Sequence, residues 1–428
     1  MRDLSSSSHL GATCDGDDRC VDIDDRLLPA APHLTGPGAA AAVAPVVAVV
    51  GGELLSLVPG QVLYRPGREL IVSYGARVRW SGGREVEETI LAGTTVDGPP
   101  AGTVAVEADR MSVGIWRYPF DPVLRGLAHA VVPGPAAALL DLDPSQVELD
   151  VRSFRPGRRA VVRVAWASGE AYVKVVDPAR TAAVVDRHQA LLDAGIPVPE
   201  VLAADTSLGL VAMRALPGTE LRHRLIAEHG PTPGGAELLE LSQAFAGVPV
   251  PEDGRPRPSL IAAAPRHARL VRRVLPEAEG PVTEVLELVA LSAEEEPTAT
   301  IHGDLHDAQI RVDDSGRIIG VLDVDDVGPG DQLDDPARVL AHLLALAVVH
   351  PPSADRVRRY AELVHGDLIE RTDPGALHAR VAAALVGLAS GPFRTQAPRW
   401  REEGVRILEL AHAVAMGGLD ERTLRCAS

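Results

Sequence analysis

The chain has 428 residues, of which 46% are hydrophobic, 24% charged and only 3% aromatic, and its formal charge is −17. That length supports two or three domains and a large core resting on Ala, Val and Leu. The scarcity of aromatic rings argues against stacking on nucleic-acid bases, and the negative field argues against binding to phosphate backbones or anionic membranes.

The opening Met1-Arg2-Asp3-Leu4 and the four serines after it lack the basic and apolar regions of a signal peptide. The longest early apolar run, Ala39 to Val50, contains Pro45 and is too short to span a bilayer, so a soluble cytoplasmic chain is expected. Cys14, Cys20 and Cys426 lie near the termini without a second ligand pair at zinc spacing, so no disulfide or zinc site is expected.

Residues 1–26 are rich in Ser and Asp and read as a mobile tail. Residues 27–140 read as a cap-like α/β unit, mainly β, with strand-like runs at Gln61–Tyr64, Glu69–Trp80, Glu87–Leu91, Thr103–Glu107 and Ser112–Trp116. Pro119, Pro122, Pro133 and Pro135 mark a linker region. The next unit, 141–214, contains Phe154-Arg155-Pro156-Gly157-Arg158, which repeats Tyr64-Arg65-Pro66-Gly67-Arg68 and is likewise followed by alternating strand residues. Its strands are expected at Ala160–Trp166 and Ala171–Val176. A helix follows over Ala179–Asp193, ended by Gly195, and a strand pair at Val201–Ala204 and Gly209–Met213. From 215 to 428 the pattern turns helical, with apolar residues three and four apart over Thr283–Glu296, Pro336–His350, Asp355–Ile369, Gly375–Ser390 and Arg399–Met416. A β-rich lobe therefore precedes an α-rich one, with the junction near Met213–Pro217.

Of the 42 basic residues only Lys174 is a lysine, and the chain contains no Asn. A lone lysine on a strand suggests chemistry that needs a compact ammonium rather than a planar guanidinium. The densest set of reactive side chains is Ile301-His302-Gly303-Asp304-Leu305-His306-Asp307-Ala308-Gln309, followed by Ile310-Arg311-Val312. A turn at Asp313-Asp314-Ser315-Gly316 returns the chain through Ile318–Leu322 to Asp323-Val324-Asp325-Asp326. A hairpin with its tip at that turn brings Asp304 and Gln309 toward Asp323. Two carboxylates and a carboxamide oxygen at one rim form a hard oxygen site suited to magnesium.

His302-Gly303-Asp304, the fifth residue after Asp304, the apolar strand ending in Asp323, Gly330-Asp331, and Asp335 opening a helix together resemble the aminoglycoside phosphotransferase and choline kinase family. The resemblance covers residues 145 to 420. It implies an α+β, protein-kinase-like fold of two lobes, with an extra mainly β unit in front, and an ATP- and Mg2+-dependent phosphotransferase acting on a hydroxyl of a small molecule. By the same likeness Asp304 accepts the hydroxyl proton. Gln309 and Asp323 hold magnesium, with Asp325 completing the shell. Lys174 grips the nucleotide phosphates beside Arg155, with Val211 and Met213 lining the nucleotide site.

The sequence departs from that family at two places. Gln309 stands where Asn is usual, keeping a carbonyl ligand on a longer stem, and the helix after Lys174 offers Asp186 rather than a glutamate as its ion-pair partner. Val364-His365-Gly366-Asp367-Leu368 copies half of the loop motif within a helical stretch and reads as a decoy. The alternatives are a nucleotide-binding regulatory protein with weak or no turnover, and a metal phosphohydrolase using His302, Asp304, His306 and Asp323. The acceptor is expected to be neutral or cationic, such as an aminoglycoside, a sugar or an amino alcohol. The segment from Glu220 to Glu296 supports this with 13 carboxylates against 8 arginines.

Overall fold

A computed structural model describes residues 23–108, 111–228, 230–249, 256–292 and 299–419. The chain divides into two compact units, one running to Tyr118 and including Arg394–Pro398, the other comprising Pro119–Phe393 and the residues from Arg399 on. The three cysteines and residues 1–22 of the expected tail lie outside the described residues. Ile23 to Arg26 are not a tail. Ile23 is buried, and the buried Asp25 accepts hydrogen bonds from the Tyr64 hydroxyl (2.8 Å) and the Gly67 N–H (2.7 Å).

The first unit begins with α1 (Ala31–Thr35) and α2 (Ala39–Val49), so the early Ala/Val run is a helix. Strands β1 (Gly52–Arg65), β2 (Glu69–Trp80), β3 (Glu85–Thr95), β4 (Val104–Ala108) and β5 (Met111–Arg117) follow, forming an antiparallel sheet in the order β1-β2-β3-β5-β4. In β2 the residues from Leu70 to Tyr74 are all buried, and from Tyr74 on burial alternates, with Ala76 and Val78 inside and Gly75, Arg77 and Arg79 exposed, the period-2 pattern of a strand with one face on a core. The Tyr74 hydroxyl donates to the Leu34 carbonyl of α1.

The boundary between units falls after Tyr118 rather than at residue 140, because the proline-rich stretch folds with the second unit. Pro133 opens α4 (Pro133–Ala138), just after α3 (Leu127–Ala130); proline is tolerated there because the first helical N–H has no partner in any case. Asp121 accepts from the N–H groups of Val123 and Leu124 (both 3.0 Å) and, through its other oxygen, from Gly157 (2.9 Å). Strands β6 (Glu148–Arg155), β7 (Arg159–Trp166), β8 (Gly169–Val175), β9 (Val201–Asp205) and β10 (Leu210–Arg214) form a sheet in the order β6-β7-β8-β10-β9, the order of the first sheet. Helix α5 (Thr181–Asp193) lies between β8 and β9 in sequence.

The helical part of this unit opens with β11 (Thr219–Glu220) and α6 (Leu221–His223), then α7 (Gly235–Ala246), α8 (Leu260–Val274) and α9 (Glu279–Val289). Four short strands follow, β12 (Ala299–Ile301), β13 (Ile310–Val312), β14 (Ile318–Val321) and β15 (Gly328–Gly330). The chain continues through α10 (Asp334–Val349), α11 (Ala354–Ile369), α12 (Pro374–Leu388), α13 (Gly391–Arg394) and α14 (Trp400–Gly417). Helix α12 packs against α8, α10 and α14 and buries Leu377, Val381, Leu385 and Val386. Among the described residues one straight helical stretch, Pro374–Arg394, is long and apolar enough to cross a membrane, and 72% of its apolar window is buried inside the protein. Strand β12 pairs with β15 and β13 with β14, so the two short sheets carry both ends of the loop 302–309 and the start of 322–327.

Candidate active site

Loop 302–309 is held from beneath by buried acids. The Asp335 carboxylate, in the first turn of α10, accepts the N–H groups of His302 (2.7 Å) and Gly303 (3.0 Å). Gly303 has φ +79°, and a Cβ there would lie 2.5 Å from the Asp326 carbonyl oxygen, so this position requires glycine. His302 is buried, with Nε2 3.0 Å from the Leu322 carbonyl and Nδ1 accepting the Asp304 N–H at 3.2 Å. Asp307 is buried and receives a two-point bond from Arg222, Nε at 2.7 Å and Nη2 at 3.1 Å. Asp304 is the loop carboxylate left partly open, its side chain 34% exposed and 3.8 Å from Arg338 of α10.

Asp323 leaves β14 in the left-handed region at φ +58°, a strained setting for a residue with a side chain. Its Oδ1 takes both Arg159 (2.5 Å) and Lys174 (3.3 Å), while Oδ2 faces the Gln309 amide at 3.3 Å. Lys174 lies closer still to Asp325, at 2.6 Å. Burial alone would raise the Asp323 pKa, but the charges of Lys174 and Arg159 outweigh it and hold this carboxyl well below the usual range. Burial pushes the His306 imidazole down from its ordinary value, against the opposing pull of Asp304 and Asp307. The hairpin turn is built as its sequence implies, with Asp313 Oδ1 accepting from the N–H groups of Ser315 and Arg317.

Lys174, Gln309, Asp323 and Asp325 thus converge, as expected from the sequence. Arg155 is exposed at the β6–β7 turn, within electrostatic reach of Asp323 and Asp304. Val211 is paired across strands with Lys174, and both Val211 and Met213 are buried in an apolar cluster with Val184.

Asp186 does not partner Lys174. The buried face of α5 carries Val184, His188 and Leu191 at four- and three-residue spacing, and Asp186 lies off that face and is exposed. His188 takes the inward position, its Nδ1 3.0 Å from the Val184 carbonyl. Asp325 and Asp323 supply the counter-charges that α5 does not. Arg159, rather than Arg155, makes the ion pair with Asp323. The signal for it was present, because Arg159 and Val161 share a strand face and Val161 is paired with Lys174.

Asp304, His306 and His342 place ligand atoms within 4.8 Å of one another. Both ring nitrogens of His306 are engaged, however, and its ring is stacked parallel to that of His342, so their in-plane lone pairs do not converge. His302 has both nitrogens engaged as well, which removes the ligand set of the phosphohydrolase alternative. The second His-Gly-Asp lies on α11, where Asp367 accepts from the Gly235 N–H (2.8 Å) at the start of α7 and serves structure.

The sequence model described as the phosphotransferase enzyme family matches residues 150–372, more than half of the chain. The chain belongs to that family of small-molecule phosphotransferases. Its second unit has the corresponding protein-kinase-like fold, a β-rich N-lobe followed by an α-helical C-lobe. Solved structures similar to it include a thermostable mutant of aminoglycoside phosphotransferase APH(4)-Ia in complex with AMP-PNP and hygromycin B. That likeness has 16% identity and a TM-score of 0.46, and covers 66% of this chain and 99% of that one. An aminoglycoside-3'-phosphotransferase of type VIII shows 20% identity, a TM-score of 0.38 and coverage of 60% and 94%. APH(3'')-Id from Streptomyces rimosus shows 18% identity, a TM-score of 0.39 and coverage of 61% and 97%. No curated protein matches the sequence.

Proposed function

We propose that this phosphotransferase uses ATP and Mg2+ to phosphorylate a hydroxyl of a small polar molecule, such as an aminoglycoside, a sugar or an amino alcohol. The observation that carries the reading is the convergence of Lys174, Arg159, Gln309, Asp323 and Asp325 beside a loop that leaves Asp304 partly open. The Gln309 amide lies against Asp323, its nitrogen 3.3 Å from Oδ2, and the carboxylate and carboxamide oxygens of the pair are hard donors of the kind a divalent cation takes. Magnesium held there supplies charge neutralisation on the transferred phosphoryl group.

The chain's own residues do the remainder. Lys174 and Arg159 turn from Asp323 toward the nucleotide phosphates, and Arg155 adds charge from the turn above them. Val211 and Met213 form the apolar wall on the nucleotide side. Asp304 orients the acceptor hydroxyl and takes its proton as the oxygen bonds to the γ-phosphorus of ATP and the bond from that phosphorus to the β–γ bridging oxygen breaks, releasing ADP, while Asp335 and His302 hold the loop in place.

Acceptor-dependent ADP release, measured over aminoglycosides, amino sugars, neutral sugars, choline-like alcohols and organic acids, tests the assignment. Asp304→Asn is expected to keep ATP binding and to cut turnover on the order of a hundredfold or more. Undiminished turnover removes Asp304 from the role. A protein that binds ATP and releases no ADP with any acceptor would be the regulatory binder that Gln309 allows.

A further inference from the structure

His306 has no role in the mechanism above, yet three contacts fix its ring. Its Nδ1 accepts the Ala308 N–H at 3.2 Å. Its Nε2 lies 3.2 Å from the terminal amide of Gln309. The ring also stacks on His342 of α10, with centroids 4.2 Å apart and planes 6° from parallel.

The first contact decides the tautomer. A ring nitrogen that accepts an N–H carries no proton, so the proton is on Nε2 and that nitrogen is a donor. Opposite it, the amide nitrogen of Gln309 would set donor against donor. The nitrogen and oxygen of a carboxamide exchange places by a half-turn and are assigned from their partners. That nitrogen also donates to Asp323 Oδ2 at 3.3 Å; with the oxygen turned into its place, Gln309 accepts from His306, gives up the bond to Asp323 and faces Oδ2 instead. Two oxygens then confront each other with no proton between them. That arrangement repels within the protein alone and becomes favourable around a cation, since neighbouring oxygens of an octahedral Mg2+ shell, at 2.0–2.1 Å from the ion, lie about 3 Å apart.

We infer that His306 is a positioning residue whose Nε2–H holds Gln309 with its carbonyl oxygen toward Asp323, presetting the pair for a divalent cation, and that His342 holds the ring in plane. This rests on the reading of Gln309 and Asp323 as cation ligands. It also accounts for a longer amide working where the family has Asn: the extra methylene would leave the oxygen free to wander, and His306 pins it.

The test is Mn2+ affinity in the presence of AMP-PNP, read by electron paramagnetic resonance and so independent of turnover. His306→Phe keeps a ring for His342 and loses the donor. It is expected to weaken Mn2+ binding roughly tenfold or more, the effect usual for a residue that orients a ligand. AMP-PNP affinity without metal should not change. His306→Gln, a second variant that restores a donor without the ring, should recover part of the loss. Adding His306→Phe to Gln309→Leu should cost nothing more, because the residue to be oriented is already gone. In the parent protein, 15N shifts of His306 should report the Nε2-protonated tautomer. An Nδ1-protonated ring, or parental Mn2+ affinity in His306→Phe while Gln309→Leu is weakened, overturns the role of His306 alone. Parental affinity in Gln309→Leu overturns the ligand assignment and the inference with it.

Discussion

The two five-stranded sheets share one order and one corner, and they differ where chemistry would be. In each, an Arg-Pro-Gly-Arg turn closes by an i to i+3 bond, Arg68 N–H to Arg65 at 2.9 Å and Arg158 N–H to Arg155 at 3.0 Å. Its glycine has φ +69° (Gly67) or +63° (Gly157), as a type II turn requires. In each, a buried aspartate from the segment before the helices accepts that glycine's N–H, Asp25 in the first unit and Asp121 in the second. Counting from the shared turn, Ile71 corresponds to Val161, and the residue paired with Ile71 is Gly93 where Val161 is paired with Lys174. Glu69 stands where the second sheet has Arg159, and the connection between β3 and β4 contains no helix, whereas α5 joins β8 to β9. A Cβ on Gly93 would lie 3.2 Å from the Trp116 ring, so an indole covers the place a lysine would need. The first sheet has the residues that set the corner, with Arg65 at the place of Arg155, and lacks counterparts of Lys174 and Arg159, so the fold of this scaffold is separable from the chemistry proposed for it.

The largest effect expected from breaking this contrast is at the lysine. Lys174→Met should lower kcat/KM on the order of a hundredfold or more, the cost of losing a preorganised charge on the transferred group. The reciprocal change, Gly93→Lys, should create no second ATP site and should destabilise the first unit by about 1–3 kcal/mol through overpacking against Trp116. Isothermal titration with ATP checks both, and a second binding event in Gly93→Lys would show the two sheets to be more alike than their registers imply. Lys174→Met should also alter acid stability. Asp323, held low by Lys174, contributes stability that is present above the ordinary carboxylate pKa and lost as pH falls through its depressed value. In the variant that loss should begin at higher pH, as followed by urea unfolding at several pH values.

The second sheet's lysine depends on an anchor outside the sheet, and the next effect is expected there. Asp325→Asn removes the nearest counter-charge of Lys174 and should weaken ATP binding about tenfold while leaving the Mg2+ concentration needed for half-maximal rate unchanged. A raised Mg2+ requirement with parental ATP affinity would place Asp325 on the metal instead.

What could be read from the sequence follows from how local each signal is. The strand Glu69–Trp80 is legible to the residue because its apolar and β-branched run and the alternation from Tyr74 on are flanked by turn residues at Pro66-Gly67 and Gly82-Gly83, and the hairpin after Gln309 because Asp313 and Gly316 form a local turn. Strand β1 was read only from Gln61 because Pro59-Gly60 looks like a turn; the structure passes it as an irregularity between Pro59 and Val62 and continues the pairing to Gly52. Pro133 looked like linker but opens a helix. The convergence on Asp323 was legible through the ordered motif. The partner of Lys174 was not, because α5 presents His188 inward, and the charge comes instead from a turn 151 positions further on, at Asp325.

Smaller effects should separate corner from chemistry. Asp121→Ala and Asp25→Ala each strip a buried acceptor from backbone N–H groups, and each should cost about 1–3 kcal/mol in thermal unfolding. Asp121→Ala should also lower activity several-fold, since its turn carries Arg155 and leads into Arg159. Asp25→Ala should leave kcat and KM unchanged. Equal losses of activity from both would mean that the first corner reaches the chemistry after all.

The smallest effect is expected at the residue before each turn, Tyr64 in the first unit and Phe154 in the second. The Tyr64 hydroxyl donates to Asp25 Oδ2 at 2.8 Å, the oxygen that also takes the Gly67 N–H, whereas Phe154 has no hydroxyl to offer and Asp121 serves its glycine without one. Tyr64→Phe therefore converts the first corner to the chemistry of the second. One charge-assisted bond is lost and the ring stays, so the cost should be about 1 kcal/mol, below that of Asp25→Ala because the carboxylate keeps its backbone donors. Differential scanning calorimetry of Tyr64→Phe, Asp25→Ala and the double variant checks the ranking. In the double variant the loss should match Asp25→Ala alone, since the hydroxyl then has no carboxylate to reach. A Tyr64→Phe loss as large as that of Asp25→Ala would mean that the hydroxyl, not the backbone of the turn, is what holds the aspartate, and that the two corners are built on different physics despite their common sequence.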